Sequence, residues 1–440
     1  MFEPGIIVAP ATATGGAIAI IRVSGEGSVA CCDRVFRGSR SLTEAKTHTL
    51  HYGTIVDGER VVDDVLVSIF RAPHSYTGEE SVEISVHGSR YIVTEVLSLL
   101  CRHGARMAEQ GEFSARAFAA GRIDLSQAEA VADIIAADSR AAHAMASTQM
   151  RGGYSDTLKS LRSSLVELTS LLELELDFSE EDVEFADRTR LLTMLRHTSG
   201  VVRSLMQSFR TGNAIREGVG VAITGAPNVG KSTLLNRLIG DDRAMVSDIA
   251  GTTRDTIEES IVIDDVRFRF IDTAGIRKTD DLLEQMGIDR TLRAIERADI
   301  VVNMKEPDGD FEPLALQEGQ TEIRVVNKAD TTTQRREGAI YISARDGEGV
   351  EQLCDALRDK VYTEALYRGD AVVSNLRHYE ALSAANEALD SAVQALSAGI
   401  SSELLAEHIR TAISALGEIT GEITSDTILQ SIFSSFCIGK

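Results

Sequence analysis

The segment Gly225-Ala-Pro-Asn-Val-Gly-Lys-Ser232 has the residue types and spacing of a phosphate-binding loop, and it directly follows an apolar run at 219–224. Glycines let such a loop turn so that successive backbone N–H groups point at phosphate oxygens, while the next helix offers its positive N-terminus. We expect Lys231 to reach the β- and γ-phosphates of a nucleotide and the Ser232 hydroxyl to bind Mg²⁺. The alternative is a glycine-rich turn without a ligand.

Three further segments follow in the order of a GTP-binding domain. The alternating run 268–271 leads into Asp272-Thr-Ala-Gly275, where a carboxylate can hold the Mg²⁺ shell and an N–H group can sense a γ-phosphate. In Asn327-Lys-Ala-Asp330 the final carboxylate can accept two hydrogen bonds from guanine, a pair of donors that adenine lacks. Ser343-Ala-Arg345 then supplies backbone amides toward the guanine oxygen. Together the four motifs predict GTP as the nucleotide.

Two details of these motifs bear on hydrolysis. Small GTPases commonly have a water-orienting Gln just after the D-x-x-G glycine, but here Ile276 occupies that position, so another residue must position the water. The segment Gly251-Thr-Thr-Arg-Asp255 lies where a switch loop covers the phosphates, and Thr253 is a candidate second Mg²⁺ ligand. The amide oxygen of Asn228 could bind a monovalent cation whose charge replaces an arginine finger; otherwise it is an ordinary turn residue.

Composition narrows the class of protein that carries these motifs. The chain has 440 residues, a net charge of −22 and five cysteines, an odd number without C-x-x-C spacing. So acidic a surface repels nucleic acid and excludes a protein that coats it without sequence preference. The cysteines fit neither a disulfide framework nor a zinc site. The N-terminus has no basic residue before Arg22 and the chain has no apolar run of about 18 residues, so we expect no signal peptide, no membrane span and a cytoplasmic location.

The elements that must position the motifs change in type along the chain. Short alternating runs at 17–23, 48–56, 61–70 and 81–86 predict strands, and Ser126 with Glu129 suggests a capping box before a helix. Stripes at 158–172 and 189–209 predict packed helices that end at the polar break 210–218, and the pattern at 379–396, 402–416 and 427–436 predicts helices again. The predicted fold class is multidomain α+β and α/β, with a doubly wound, mostly parallel sheet inserted into a helical domain built from both flanks. The expected divisions are 1–118 (N-terminal domain), 119–213 (first segment of the helical domain), 214–370 (inserted G domain) and 371–440 (second segment of the helical domain).

Outside the nucleotide motifs, three segments carry a likeness to a known family. They are Gly111-Glu-Phe-Ser-Ala-Arg-Ala-Phe118, Asp124-Leu-Ser-Gln-Ala-Glu-Ala-Val131 and the terminal Phe436-Cys-Ile-Gly-Lys440. With the inserted G motifs, the chain resembles the tRNA-modification GTPase MnmE family, also called TrmE, over essentially its full length. The resemblance implies that the N-terminal domain binds folate and mediates dimerisation.

The resemblance also implies an activity and partners. Family members are K⁺-stimulated GTPases that work as homodimers with the flavoprotein MnmG, in a heterotetramer. They install a carboxymethylaminomethyl-type group at C5 of the wobble uridine of certain tRNAs, with 5-formyltetrahydrofolate or a related folate as the one-carbon source.

Carried onto this sequence, the family pattern assigns roles residue by residue. Glu284 and Cys437 match catalytic positions, the glutamate as the residue that activates water. Whether Cys437 is a covalent catalyst or a structural thiol stays open. K⁺ is expected at Asn228, Ser247, Ile249 and Thr252, and Mg²⁺ at Ser232 and Thr253. Folate is expected at Arg22, Glu79, Arg122 and Lys440, and the switch residues are Arg254, Asp255 and Arg277. The expected GTP-binding residues are Asn228, Val229, Gly230, Lys231, Ser232, Thr233, Ser247, Asp248, Ile249, Ala250, Gly251, Thr252, Thr253, Asp272, Thr273, Ala274, Gly275, Asn327, Lys328, Ala329, Asp330, Ser343, Ala344 and Arg345.

A second function class stays open at this point. Related GTPases with an isoleucine at the position of Ile276 act as GTP-switched ribosome-assembly or RNA-binding factors. Those proteins usually append a basic RNA-binding module, and the net charge of −22 without a basic tail argues against that alternative. A scaffold with a relic G domain is disfavoured, because every phosphate-site residue is intact.

Overall fold

The computed structural model describes residues 3–177, 188–240, 245–246, 259–271, 292–317, 319–335, 337–361, 372–434, 436 and 439. The chain divides into two compact units. Unit 1 comprises Met1–Ala132 and Gly417–Lys440, and unit 2 comprises Asp133–Leu416. Each unit contains one seven-stranded sheet.

The strands are β1 (Ile7–Pro10), β2 (Ile18–Ser24), β3 (Phe36–Gly38), β4 (Thr49–Asp57), β5 (Arg60–Phe70), β6 (Ser81–His87), β7 (Arg106–Met107), β8 (Val219–Gly225), β9 (Met245–Val246), β10 (Glu259–Ile263), β11 (Val266–Phe270), β12 (Ile300–Lys305), β13 (Thr321–Val326) and β14 (Ile340–Tyr341). The main helices are α1 (Ser28–Asp33), α2 (Arg90–Arg102), α3 (Glu112–Ala119), α4 (Leu125–Ala136), α5 (Arg140–Met150), α6 (Gly153–Asp177), α7 (Arg188–Glu217), α8 (Lys231–Ile239), α9 (Val350–Val361), α10 (Leu376–Ser397), α11 (Ser402–Thr420) and α12 (Asp426–Ser434). A further short helix covers 292–297, and 3₁₀ turns cover Leu42–Glu44 and Ala329–Thr331.

The sheet of unit 1 has the strand order β3-β4-β5-β6-β2-β1-β7, with antiparallel neighbours except for β1 and β7. Its alternating sequence explains why it forms: in β5, Val65, Val67 and Ile69 face the core while Leu66 faces solvent. Helices α1 and α2 cover the apolar face and complete a core with these valines and isoleucines. The four strands predicted from alternation in this region are therefore confirmed.

The C-terminal helix belongs to unit 1. Phe433 and Phe436 pack on Ala115 of α3 and on Leu125 and Ala128 of α4. This contact is close, because a Cβ at Gly111 would lie 2.4 Å from the Phe433 carbonyl oxygen. The last helix, predicted at 427–436, thus buries Phe433 against α3 and α4, together with Phe436 just after it.

The predicted capping box at the start of α4 is wrong by two residues. The Gln127 amide donates to Asp124 Oδ1 at 2.9 Å, and the Asp124 amide donates to Gln127 Oε1 at 2.9 Å. The reciprocal pair is therefore Asp124 with Gln127, while Ser126 lies buried inside the first turn. An aspartate is as good an N-cap as a serine, and Asp124 directly precedes Leu125, the first residue of α4.

Unit 2 combines helices from both sides of an α/β segment. Helix α7 packs along α10, where Arg203 pairs with Asp390 at 2.5 Å and Ser199 donates to Asn386 Oδ1 at 3.2 Å. The facing side of α10 is a row of buried alanines that allows this close approach. The prediction of helices from two flanks that pack together is confirmed.

The predicted end of α7 at the polar break 210–218 is wrong. The helix continues to Glu217, because Gly212 and Ile215 of the break are buried while Arg210 and Glu217 are exposed. A Cβ at Gly212 would lie 2.2 Å from the Val373 carbonyl oxygen, so the helix packs tightly against the segment that precedes α10. Tertiary packing overrides the polar composition here.

The sheet of unit 2 has the order β14-β13-β12-β8-β11-β10-β9, parallel from β14 to β11 and antiparallel at β10 and β9. Helices α8 and α9 cover one face, and the helix at 292–297 covers the other. This is the doubly wound, mostly parallel sheet that the alternation of strands and helices predicts.

Two smaller predictions concern cysteines and membranes. Among the described residues, Cys31, Cys32, Cys101 and Cys354 are not in disulfides, and Cys437 lies outside the described residues. Within the described ranges, none of the helices has the length and apolar character that a membrane span needs.

Candidate functional site

The loop between β8 and α8 has the backbone of an anion cradle. Gly225 has φ +142, Asn228 has φ +64 and Gly230, the N-cap of α8, has φ +100. A Cβ at Gly225 would lie 2.2 Å from the Met304 carbonyl oxygen, so glycine is required for space as well as for conformation. The first turn of α8 therefore begins inside the loop, with its positive end at the cradle.

Lys231 caps this loop from within. Its Nζ donates to the carbonyl oxygens of Gly225 at 2.6 Å and Ala226 at 2.9 Å. Burial lowers the pKa of Lys231, and the nearby Glu312 carboxylate opposes that effect. The ammonium is thus a partly desolvated cation at the mouth of the loop, where a phosphate oxygen would gain from it.

Asn327, fully buried, joins the phosphate loop to the loop after β14. Its Nδ2 donates to the Val229 carbonyl oxygen at 2.7 Å, and its Oδ1 accepts from the Ala344 amide at 2.9 Å. A Cβ at Gly230 would lie 2.3 Å from Nδ2, so the glycine makes room for this bridge. One side-chain amide therefore fixes the distance between two segments. The sequence predicts that one of them binds the phosphates and the other the base.

The loop after β13 is held in register by backbone contacts. The Ala329 amide donates to the Ile342 carbonyl oxygen at 2.9 Å, and Lys328 has φ +60. This turn leaves Asp330 exposed, with its carboxylate available to a ligand. Beside it, Ser343 Oγ donates to Asp346 Oδ2 at 2.8 Å and so closes the turn that carries Ala344.

The structure brings together the described members of the predicted nucleotide site. The phosphate loop and the two base-side segments lie at the carboxyl ends of β8, β13 and β14, the edge at which ligands bind in such sheets. The side chains of Asn228 and Ser232 make no hydrogen bond to described residues, so their oxygens remain available to a cation. The remaining predicted residues of this site and of the terminal motif lie outside the described residues: Ser247, Asp248, Ile249, Ala250, Gly251, Thr252, Thr253, Arg254, Asp255, Asp272, Thr273, Ala274, Gly275, Arg277, Glu284, Cys437 and Lys440.

Unit 1 contains a second polar site around Arg22 on β2. The Arg22 guanidinium pairs with Glu83 on β6 at 2.9 Å and lies over the ring of Tyr76, 5.4 Å from its centroid, and that of Phe113 at 5.8 Å. Burial raises the pKa of Tyr76, against the Ser114 hydrogen bond and the Arg22 charge. The site thus sets a guanidinium against the half-buried ring of Tyr76, while Phe113 itself is fully buried.

Glu79 lies on the same face of this sheet. Its carboxylate accepts from Ser24 Oγ at 3.0 Å and from Arg116 at 3.1 Å. Ser24 is two residues after Arg22 on β2, so alternation puts both side chains on one face. Two of the predicted folate residues are therefore neighbours on one surface.

Arg122 and the end of the chain also lie close to the residues of this site. The Arg122 side chain passes the Gly78 backbone, since a Cβ at Gly78 would lie 3.2 Å from Arg122 Cγ. An Arg22 Nη donates to the Gly439 carbonyl oxygen at 3.4 Å. The described predicted residues of this site thus gather in unit 1, next to the end of the chain.

Sequence reasoning missed the residues that support the site in unit 1. Glu112 is fully buried between Arg106 at 2.5 Å and Arg116 at 2.9 Å. Burial alone would raise the pKa of Glu112, but the hydrogen bonds from Arg106, the Glu109 amide and Arg116 outweigh it and lower the pKa below its ordinary 4.5. The spacing of Glu112 and Arg116, four residues apart on a helix, was the available signal.

Comparisons with known proteins cover almost the whole chain. The pattern described as "GTP-binding protein TrmE N-terminus" matches residues 6–122, and that of the "MnmE helical domain" matches 125–437. A Bacteroides thetaiotaomicron protein named tRNA modification GTPase MnmE is 46% identical over 460 residues, 99% of this chain and 99% of that protein. A Flavobacterium johnsoniae protein of the same name is 46% identical over 466 residues, 100% of both chains. A Cytophaga hutchinsonii protein, again so named, is 46% identical over 450 residues, 99% of this chain and 97% of its own.

Proposed function

The chain belongs to the tRNA modification GTPase MnmE family, and from this premise we propose that it is a K⁺-stimulated GTPase that modifies wobble uridines in tRNA. The observation that carries the GTPase proposal is the bridge made by Asn327. It connects the phosphate loop at Val229 with the base-side loop at Ala344 through two buried hydrogen bonds. A site in which one side chain aligns both segments suits a ligand with a base at one end and phosphates at the other.

The proposed chemistry at the phosphate end needs two cations. The Ser232 hydroxyl, in the first turn of α8, is a suitable Mg²⁺ ligand, with Thr253 as the second protein ligand. We propose that Asn228, Ser247, Ile249 and Thr252 bind K⁺, which supplies the charge that an arginine finger supplies elsewhere. The left-handed backbone at Asn228 supports this, since it turns the residue within the loop and leaves its amide oxygen without a described partner.

Guanine selectivity is assigned to Asp330, and water activation to Glu284. Asp330 is exposed in the turn after β13, and the segment Ser343-Ala-Arg345 is proposed to border the base pocket. The Ser343 and Ala344 amides already donate within the protein, to the Glu348 carbonyl oxygen and to Asn327 Oδ1. A carboxylate there accepts from both N1–H and the exocyclic amine of guanine, so its replacement by an amide should change base preference. The remaining proposed GTP contacts are those assigned from the sequence.

We further propose that unit 1 binds 5-formyltetrahydrofolate or a related folate. Arg22, Arg122 and Lys440 would attract the glutamyl carboxylates, and Glu79 would accept from the pterin edge. The half-buried ring of Tyr76 supports the proposal, because it places an aromatic surface suited to a pterin beside Arg22. Cys437, close to this end of the chain in sequence, is the proposed catalytic thiol.

The proposed assembly is a homodimer joined by the flavoprotein MnmG in a heterotetramer, in the cytoplasm. The proposed domain divisions are 1–118 for folate binding and dimerisation, 119–213 and 371–440 for the helical domain, and 214–370 for the G domain. Arg254, Asp255 and Arg277 are the proposed switch residues that link nucleotide state to tRNA modification.

One experiment tests the proposed roles of K⁺ and of Asp330. GTP turnover is measured in K⁺ and in Na⁺, for the native chain and for Asp330→Asn, with xanthosine triphosphate as a second substrate. We expect faster turnover in K⁺, and a change of preference from guanine to xanthine in the variant. Equal rates in both salts would refute the K⁺ role, and unchanged preference would refute the role of Asp330.

The modification itself is tested in cells. Wobble nucleosides are analysed in a deletion strain complemented by the native chain or by Cys437→Ser. We expect the modified uridine only with the native chain; normal modification with the variant would remove the thiol from the chemistry. Normal modification in the deletion strain would refute the proposed function.

A further inference from the structure

A carboxylate lies at the base of the phosphate loop, and neither the motifs nor the proposed roles use it. Thr224 is the residue immediately before Gly225 and is fully buried. Its Oγ1 donates to Glu312 Oε2 at 3.0 Å. Glu312 comes from the segment after β12, 88 residues away in sequence, so tertiary structure alone creates the contact.

The main chain of Glu312 is fixed as well as its side chain. Asn303, paired with Thr224 across β12 and β8, donates from Nδ2 to the Glu312 carbonyl oxygen at 2.8 Å and to Glu322 Oε1 at 2.7 Å. Asn303 is fully buried, and its Oδ1 has no partner among the described residues. Burial of an amide oxygen without a hydrogen-bond partner costs free energy that an apolar side chain would not cost. The structural effect of the Asn303 amide is to hold the segment around residue 312 in place.

Glu312 and the nucleotide's phosphates would act on the same cation. The Lys231 ammonium lies against the Gly225 and Ala226 carbonyl oxygens, and Glu312 is the carboxylate whose attraction opposes the effect of burial on the pKa of Lys231. The β- and γ-phosphates of a bound nucleotide also converge on the lysine of such a loop. A negative charge near that lysine attracts it but repels the phosphates.

We propose that Glu312 is an electrostatic determinant of nucleotide affinity: its charge weakens the binding of GDP and GTP and speeds GDP release. The inference rests on the proposed binding of guanine nucleotides at this loop. The repulsion grows with the charge on the phosphates, so GTP is affected more than GDP, and GMP, which lacks the β- and γ-phosphates that converge on Lys231, is not measurably affected. A GTPase that must release GDP in every cycle gains turnover from such a residue.

The opposite role makes the opposite prediction. If Glu312 were a ligand of the bound Mg²⁺, its charge would attract the cation and strengthen nucleotide binding. Removal of the charge would then weaken binding. The sign of the effect therefore decides between the two roles.

The test is Glu312→Gln, because the glutamine Oε1 can still accept the hydrogen bond from Thr224. The matched control is Glu322→Gln, which removes the same charge from a residue bonded to the same Asn303 amide but already paired with Arg324 at 3.0 Å. Dissociation constants of methylanthraniloyl-labelled GMP, GDP and GTP are measured by direct excitation of the label, since the chain has no tryptophan to act as donor. Release of labelled GDP is followed by stopped flow.

In Glu312→Gln we expect GDP and GTP to bind about three- to tenfold more tightly, with GTP gaining more and GMP unchanged. GDP release slows in proportion, and the gain shrinks as salt rises from about 0.05 M to about 0.5 M. The Glu322→Gln control keeps native affinities. A tighter GMP complex, unchanged or weaker GTP binding, or an equal gain in the control would overturn the inference. A native chain that binds no guanine nucleotide would instead refute the proposed function, and this inference with it.

Discussion

The bridge made by Asn327 gives the most direct quantitative prediction. In Asn327→Ala the Val229 carbonyl oxygen loses its donor and the Ala344 amide loses its acceptor, both in a region where Asn327 itself is 3% exposed. Alanine cannot replace either bond. We expect the variant to lose stability in unit 2 and affinity for guanine nucleotides at the same time.

The size of the effect follows from the two orphaned backbone groups. A buried polar group left without a partner costs about 1–3 kcal/mol, so the two together should cost about 3 kcal/mol once the loops relax partly toward water. For a domain of this size, a loss of 1 kcal/mol lowers the melting temperature by about 2–4 °C. We therefore expect the melting temperature of unit 2 to fall by about 6–12 °C.

Calorimetry is the suitable assay, because the chain has two compact units and no tryptophan for fluorescence. The transition that moves upward on addition of GDP identifies the unit that contains the nucleotide site. Asp330→Ala is the control, since Asp330 belongs to the same motif but is exposed. Without nucleotide it should melt within about 1 °C of the native chain, as surface substitutions commonly do.

Two results would contradict this reasoning. If Asn327→Ala has the same melting temperature as Asp330→Ala, the buried hydrogen bonds of Asn327 do not stabilise unit 2. If the melting temperature falls but GDP affinity stays native, the bridge does not position the phosphate loop.

Two further predictions concern unit 1 and the glycine at the start of α8. Glu112→Gln should cost about 2–4 kcal/mol at neutral pH, because it leaves the Arg106 charge partly unpaired. Since the folded-state pKa of Glu112 lies below its ordinary 4.5, this stabilisation is present above pH 4.5 and is lost as the pH falls through the folded-state value. Urea unfolding followed by circular dichroism should therefore give curves that converge on acidification, and a difference that persists at low pH would contradict the assignment. Gly230→Ala should abolish nucleotide binding, because its Cβ would lie 2.3 Å from Asn327 Nδ2 at a φ of +100. Gly338 has a similar φ of +88 with open space around it, so Gly338→Ala should lower the stability by about 1 kcal/mol and keep nucleotide binding. If Gly230→Ala and Gly338→Ala lose nucleotide affinity equally, backbone strain alone accounts for the loss.

The sequence predicted the elements whose periodicity is strong. The strands of unit 1 alternate cleanly, and the strand before Gly225 is mostly apolar, so both were recognisable without tertiary information. The helix boundary at 210–218 was not, because burial of Gly212 against Val373 is a long-range contact that local polarity does not reveal. The polarity of a segment indicates only its average exposure, whereas a helix can continue when just one of its faces is buried.

The candidate nucleotide site was predictable in its motifs but not in its connections. Lys231, Asn327 and Asp330 stand at motif positions, and their spacing alone indicated a phosphate end and a base end. Nothing in the spacing indicated that Asn327 would bond to Val229. That contact depends on the adjacency of β8, β12 and β13 in the sheet, which is a property of topology.

The bridge also has a consequence for how base and phosphate recognition combine. Asn327 contacts the phosphate loop, while its neighbour Lys328 turns away to pair with Glu306 on the exposed side. A base that orders the Ala344 loop therefore orders Val229 through one shared amide, so binding at the two ends should be coupled and non-additive. In a double-mutant cycle, Asp330→Asn should weaken GTP binding strongly in the native background and only slightly in Asn327→Ala, where the loops no longer communicate. Additive losses in GTP affinity would mean that base and phosphates are recognised independently, and that the amide is structural only.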